Sequence, residues 1–184
     1  LVIAIMGVPL VTCMRDLSVT HDWFTLWGTG ASVHFSLAAD GLSAWLIQLV
    51  TFLTPIAILS SKDQVAERMR EFTATVLIME GFMIAALLAG DLVLFYIAFE
   101  AMLIPMVVLI CLFGSHDRRR AAMHFLLYTM LGSIFMLVGI LYIALKLGTT
   151  DIERVAQQMV LLTPDQQLPL FAAFALAFSV KVPL

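Results

Sequence analysis

The sequence predicts an all-α fold: a polytopic transmembrane helical bundle of about five spans plus a terminal half-helix broken near Lys181-Pro183. Three observations predict it. Of 184 residues, 62% are hydrophobic and only 12% charged, with a mean hydropathy of +1.03, where soluble domains hold roughly 45–50% apolar and about 25% charged residues. The apolar residues gather into runs close to the ~20 that a membrane helix needs. The charged residues collect between those runs. A water-soluble globule of this size leaves roughly 30% of its unfolded surface wet, so the composition excludes a soluble enzyme, a nucleic-acid binder and a disordered tail. The net charge of −3 and pI of 5.7 offer nothing to a polyanionic partner.

Residues 1–14, LVIAIMGVPLVTCM, are too short for a span and carry no basic n-region, so they read as a partial transmembrane helix rather than a signal peptide. Residues 15–40 form a mixed loop in which Ser32 to Leu37 alternate like a short extended segment. Trp23 and Trp27 suit the water–lipid boundary there. Residues 41–184 form the membrane domain, with spans at about Gly41–Ser60, Phe72–Ala89, Leu92–Phe113 and Ala121–Leu145 and a last apolar stretch at Leu168–Leu184. The connectors are Lys62–Glu71, a tight turn at Gly90-Asp91, the loop GSHDRRR (Gly114–Arg120), and Lys146–Gln167, with a short surface helix near Asp151–Met159. Cys13 and Cys111 lie in apolar runs and read as buried free thiols.

Orientation follows from the basic residues. Lys62, Arg68, Arg70, Arg118, Arg119 and Arg120 fall on one side, and Arg15, Lys146 and Arg154 on the other. The first side is therefore cytoplasmic or matrix, and the residue 15–40 loop faces the intermembrane space or periplasm. The arginine run reads as this topology signal before it reads as a binding site.

Three charged residues fall within spans: Glu80, Glu100 and Lys181. Each costs at least ~2.5–3.5 kcal/mol to insert, so such residues face protein or water and mark an ion path. Glu100 lies nine residues after Asp91, close to mid-bilayer. Pro105 follows it and leaves the Ala101 carbonyl without an intrahelical donor, a place for ordered water on a proton path. The bland alternative is a glutamate paired with a polar group on a neighbouring helix. Lys181 is the cationic counterpart, beside a helix that Pro183 is expected to break, as in helices that line cavities. A lysine snorkelling to the interface fits its position equally.

Glu80 adjoins a small-residue stripe, Gly81, Ala85 and Ala89, that invites a close helix approach. A structural hydrogen bond and a role in proton transfer are both open to it. His124 is a candidate shuttle because histidine titrates near neutrality, or else a hydrogen-bonding boundary residue. Tyr128, Thr129 and Ser133 recur along the same helix, where they line either a hydrated contact or an interhelical one. No CxxC set, haem or metal histidine pair, phosphate loop or nucleophile constellation is present in the sequence.

Four segments carry a resemblance: DLVLFYIAFEAMLIP (Asp91–Pro105), FSLAADGLSAWLIQLVTFLTPIAILSS (Phe35–Ser61), FLLYTMLGS (Phe125–Ser133) and FAAFALAFSVKVPL (Phe171–Leu184). In order and spacing they resemble the antiporter-like proton-channel subunits of respiratory complex I, NADH:ubiquinone oxidoreductase, and specifically subunit 4 of the mitochondrial enzyme and subunit M of the bacterial one. FExxLIP and VKxP are the specific motifs. The resemblance implies that Glu100 and Lys181 act as an interacting pair in a proton half-channel coupled to NADH oxidation. His124 matches no motif of the family. The resemblance also implies no cofactor in this chain, with FMN, iron–sulfur clusters and ubiquinone in other subunits. It implies the mitochondrial inner membrane or a bacterial plasma membrane, with other membrane-arm subunits and the lipid bilayer as partners.

The family continues past VKxP with an HxWLPxAH-type segment, a second channel lysine and further helices. The expectation is thus a fragment, with a second polypeptide carrying the rest or a longer chain of which this sequence is part. Two competing readings are a structural brace of the membrane arm and a component of a multi-subunit sodium/proton antiporter, whose subunits share the fold.

Overall fold

The structure, a computed structural model, describes residues 18–25, 32–63 and 65–181. The partial span at residues 1–14, Arg15, Cys13, Trp27 and the expected break at Pro183 lie outside the described residues. A hairpin comes first. Strand β1 (Ser18–Thr25) pairs antiparallel with β2 (Ser32–Ala38), from Ser18 opposite Ala38 to Thr25 opposite Ser32, with an irregularity between Asp22 and Phe24. The alternation at residues 32–37 foretold β2, but β1 sits in what reads as loop. Trp23 packs edge-on against Phe35, their centroids 6.0 Å apart.

Helix α1 (Gly41–Ser60) opens on Asp40, whose carboxylate accepts the Ser43 N–H at 2.6 Å. That is an N-cap, satisfying one of the donors a helix start leaves bare. A 3-10 turn (Ala66–Arg68) leads into α2 (Met69–Leu88). Next come α3 (Leu92–Ala101) and α4 (Leu103–Phe113), which form one span interrupted at Met102. Proline 105 has no N–H to give the Ala101 carbonyl, and the irregular turn falls where that bond is missing.

Helix α5 (Arg118–Leu147) runs 30 residues. It absorbs all three arginines of the expected loop; Arg118 turns back to donate to the Leu112 carbonyl at 2.9 Å, closing the end of α4. Gly148 ends α5 at φ +69°, a left-handed cap that costs glycine nothing. A short helix α6 (Ile152–Gln158) and a 3-10 turn (Met159–Leu161) then return the chain to α7 (Pro164–Lys181).

Four segments (Gly41–Ser60, Ala66–Leu88, Leu92–Phe113 and Arg118–Leu147) are long and apolar enough to cross a membrane. With the structure's other helices they make the chain a multi-pass helical membrane protein. The core lies between α3, α5 and α7, where Phe99, Met136, Ile140 and Ala177 are buried together. The seam of α5 against α7 is close because Gly132 and Gly139 replace side chains with backbone. A Cβ on Gly132 would stand 2.8 Å from the Val180 Cβ, and one on Gly139 3.0 Å from the Phe174 ring. By contrast α1 exposes Leu42, Trp45, Leu49, Phe52, Leu53, Ile56 and Leu59, a face for lipid or protein. Of the stripe expected beside Glu80, Gly81 meets no helix, being exposed with nothing within 4 Å of where a Cβ would be, whereas Ala85 and Ala89 are half-buried.

Candidate proton-transfer site

The span that carries Glu100 is pinned at one end. Asp91 caps α3 by accepting the Val93 N–H at 2.8 Å, and it is fully buried. Its other oxygen accepts the Thr150 hydroxyl at 2.6 Å and the His34 N–H at 3.3 Å. The Gly90-Asp91 connector is therefore no free turn. Gly90 N–H donates to the Ser36 carbonyl (2.8 Å), Leu92 N–H to Thr150 (2.9 Å) and Ile152 N–H to Gly90 (3.0 Å). Three crossings of the chain meet at this buried carboxylate. A buried carboxyl group is tolerated there because its lone pairs are met by donors.

Two turns further along α3, Phe95 and Phe99 stack at 5.5 Å and meet Phe178 of α7 at 6.4 and 5.8 Å. Beside this aromatic wedge Lys181, half-buried at the end of α7, donates to the Phe99 carbonyl. Its ammonium lies 3.4 Å from the centroid of the Phe99 ring. A cation over an aromatic face gains about 0.5–2 kcal/mol when desolvated. Glu100 follows Phe99 directly and is also half-buried. One of its carboxylate oxygens, Oε1, is buried with no hydrogen-bond partner among the described residues. Glu100 and Lys181 make no nitrogen–oxygen contact within 4 Å, but each lies within the other's electrostatic reach.

The third wall is α5. The Ser133 hydroxyl, buried, lies within reach of both the Glu100 carboxyl and the Tyr96 phenol. It donates to the Met130 carbonyl at 2.9 Å. An acid, an ammonium, a phenol and a hydroxyl thus gather where three helices meet. An oxygen without a partner in such surroundings is a place for water or a proton.

The sequence candidates divide. Glu100 and Lys181 come together at this junction, joined by Ser133. Thr129 is buried but donates to the carbonyls of Phe125 (2.7 Å) and Leu126 (3.1 Å) of its own helix. Tyr128 and His124 are exposed, and neither makes a hydrogen bond or ion pair with Glu100 or Lys181. Glu80 is half-buried on α2 and has no hydrogen-bond partner among the described residues. Cys111 is a free, half-buried thiol. Sequence reasoning missed Asp91, Tyr96 and Phe99. An aspartate just before an apolar run is an N-cap signal, but its burial by Thr150 depends on a contact 59 positions away.

A family model described as NADH:quinone oxidoreductase/Mrp antiporter, TM, matches residues 89–184. NADH-ubiquinone oxidoreductase chain 4 of Marchantia polymorpha is 40% identical over 163 residues, and that of Arabidopsis thaliana 41%. Each alignment covers 86% of this chain and 32% of the relative. NADH-quinone oxidoreductase subunit M of Rhodobacter capsulatus is 40% identical over 163 residues, 83% of this chain and 32% of its own length. The chain spans about a third of the length of these relatives. It also superposes on a chain of respiratory complex I from Thermus thermophilus with a TM-score of 0.75 at 33% identity, covering 98% of this chain and 38% of that one. A chain of the Mrp complex from Dietzia shares the fold alone, with a TM-score of 0.75 at 19% identity over 97% of this chain and 20% of that one.

Proposed function

Because the chain belongs to the NADH:quinone oxidoreductase/Mrp antiporter transmembrane family, we propose that it serves the membrane arm of respiratory complex I as a proton-translocating element. Glu100 and Lys181 hold and pass the proton. The observation that carries this reading is the half-buried Lys181 ammonium on the Phe99 carbonyl, one residue from a glutamate with an unpartnered oxygen. A buried cation and acid in separate wells respond to each other's charge without being locked in an ion pair. A charge change arriving along the membrane arm alters their balance and with it which of the two holds the proton. Ser133 and Tyr96 supply hydroxyls able to accept and donate along the route. In this reading flavin, iron–sulfur and ubiquinone chemistry belongs to other subunits. The partners are the other membrane-arm subunits, among them a second polypeptide carrying the rest of the subunit.

The test is Glu100→Gln in the assembled complex, measuring proton pumping beside NADH oxidation. Pumping per NADH should fall. Unchanged pumping would leave the chain as a structural brace and sink the proposal. The fold likeness to the Mrp complex favours one further reading, a sodium/proton antiporter component. Co-purification discriminates the two: iron–sulfur and flavin subunits accompany the chain in the first case and not in the second.

A further inference from the structure

We propose that Asp91 is a positioning residue for Glu100: its buried carboxylate, clasped by Thr150 and the His34 backbone, sets the depth and rotation of α3. The inference rests on the proposed role of Glu100 and adds to it a part played from the opposite end of the helix. Helix geometry carries the argument. A slip of one residue at a helix start turns every later side chain by about 100° and slides it by about 1.5 Å. The α3 segment is short, Leu92–Ala101, and ends at the irregular turn at Met102. Its far end is held by the packing of Phe99 against α5 and α7, and its near end is held by the Asp91 carboxylate, so the two together set its register.

The Asp91 clasp is built to do so. Oδ1 holds the first turn of α3 through Val93 N–H (2.8 Å), while Oδ2 holds two other segments through Thr150 (2.6 Å) and His34 N–H (3.3 Å). One rigid carboxylate thereby references the start of α3 to strand β2 and to the chain leaving α5. Helix α5 carries Ser133, the hydroxyl facing Glu100, and packs on α7, which carries Lys181. Phe99, the acceptor of Lys181, and Glu100 are adjacent, so any slip of α3 moves both relative to the cation and the hydroxyl at once. The Asp91 side chain touches neither Glu100 nor Lys181 and acts only through the backbone.

The experiment compares Thr150→Val, Thr150→Ser, Asp91→Asn and Glu100→Gln in the whole assembled complex. It scores the amount assembled, NADH oxidation and protons pumped per NADH. Val removes the hydroxyl at nearly constant volume, and Ser keeps it. Asn keeps an acceptor for Val93 but places a donor against Thr150 and His34. The expected result is assembly and NADH oxidation near wild type in T150V and D91N. Pumping per NADH should fall roughly threefold or more, since displacing a catalytic group by ~1 Å can cost up to about 10²-fold. T150S should restore it.

Normal pumping per assembled complex in T150V and D91N overturns the proposal, and so does T150S failing as T150V does. If both T150V and D91N fail to assemble while T150S assembles, the clasp is purely structural and the proposal falls as well. Glu100→Gln separates the two claims: normal pumping there removes the functional reading itself. Loss of pumping there beside normal T150V and D91N removes only the positioning role.

Discussion

The ammonium of Lys181 hydrogen-bonds the backbone carbonyl of Phe99 and lies 3.4 Å from the centroid of the same residue's ring. Phe99 thus solvates the cation twice, from a neutral group that cannot quench its charge, and holds it beside Glu100. Substituting Phe99→Leu keeps the carbonyl and removes the ring. The ring's cation–π contribution and its packing on Phe95 and Phe178 are lost together, about 1–3 kcal/mol. The thermal midpoint of the assembled complex should drop, and pumping per NADH should fall more than NADH oxidation does. A variant with wild-type midpoint and pumping would show that the ring plays no part in holding the cation.

At the α5–α7 seam the prediction is steric. Gly132→Ala places a Cβ 2.8 Å from the Val180 side chain, closer than packed carbons tolerate. Overpacking of this kind costs about 1–3 kcal/mol. Val180→Gly removes both the Cβ and the methyls that a Cβ on Gly132 would meet, so Gly132→Ala should cost much less in that background. Thermal unfolding of the four-member cycle gives the coupling directly, and purely additive losses would contradict the close approach.

Asp40 gives a pH dependence outside the membrane. Hydrogen bonding by Ser43, side chain first and backbone second, holds its carboxyl below the ordinary 3.8. A carboxyl lowered by folding contributes stability that is fully present above its unfolded value and is lost as pH falls through the folded one. The first turn of α1 should therefore lose amide-exchange protection at Ser43 only as pH drops below about 3.8. Asp40→Asn keeps the cap and should abolish the pH dependence. Asp40→Ala should cost the turn about 0.5–2 kcal/mol at pH above about 3.8 and less in acid.

His124 is exposed on α5. Replacing it with Asn should leave pumping per NADH within about a factor of two, as expected of surface substitutions remote from any buried network. A larger drop in the assembled complex would bring His124 back as a shuttle.

Much of the fold was legible in the residues. Four helical segments long and apolar enough to cross a membrane lie where four of the apolar runs fall, because burying a backbone in lipid requires that it be hydrogen-bonded internally. The interruption at Met102 follows from Pro105, and Glu100 and Lys181 stood out by the cost of charge in a span. Strand β1 was not legible, since its partner lies across a turn and half its residues are polar. Nor was the inward extension of α5 to Arg118: exposed arginines are good helix formers, and only the Leu112 carbonyl shows that one of them closes the preceding helix.

By itself the sequence determined the medium, where four of its expected spans lie and which charges are out of place, for these depend on local composition and on the transfer free energy of single residues. The tertiary structure alone decided who meets whom. It put Lys181 on the Phe99 carbonyl and not on Glu100, buried Ser133 near the acid and left Tyr128 exposed, and made Asp91 a buried clasp. Those outcomes depend on helix rotation and on contacts between residues as much as 82 positions apart, from Phe99 to Lys181. The physical reason is that a near-uniform apolar run has no preferred face. Its rotation is fixed only when glycines, caps and buried donors meet the neighbouring helices.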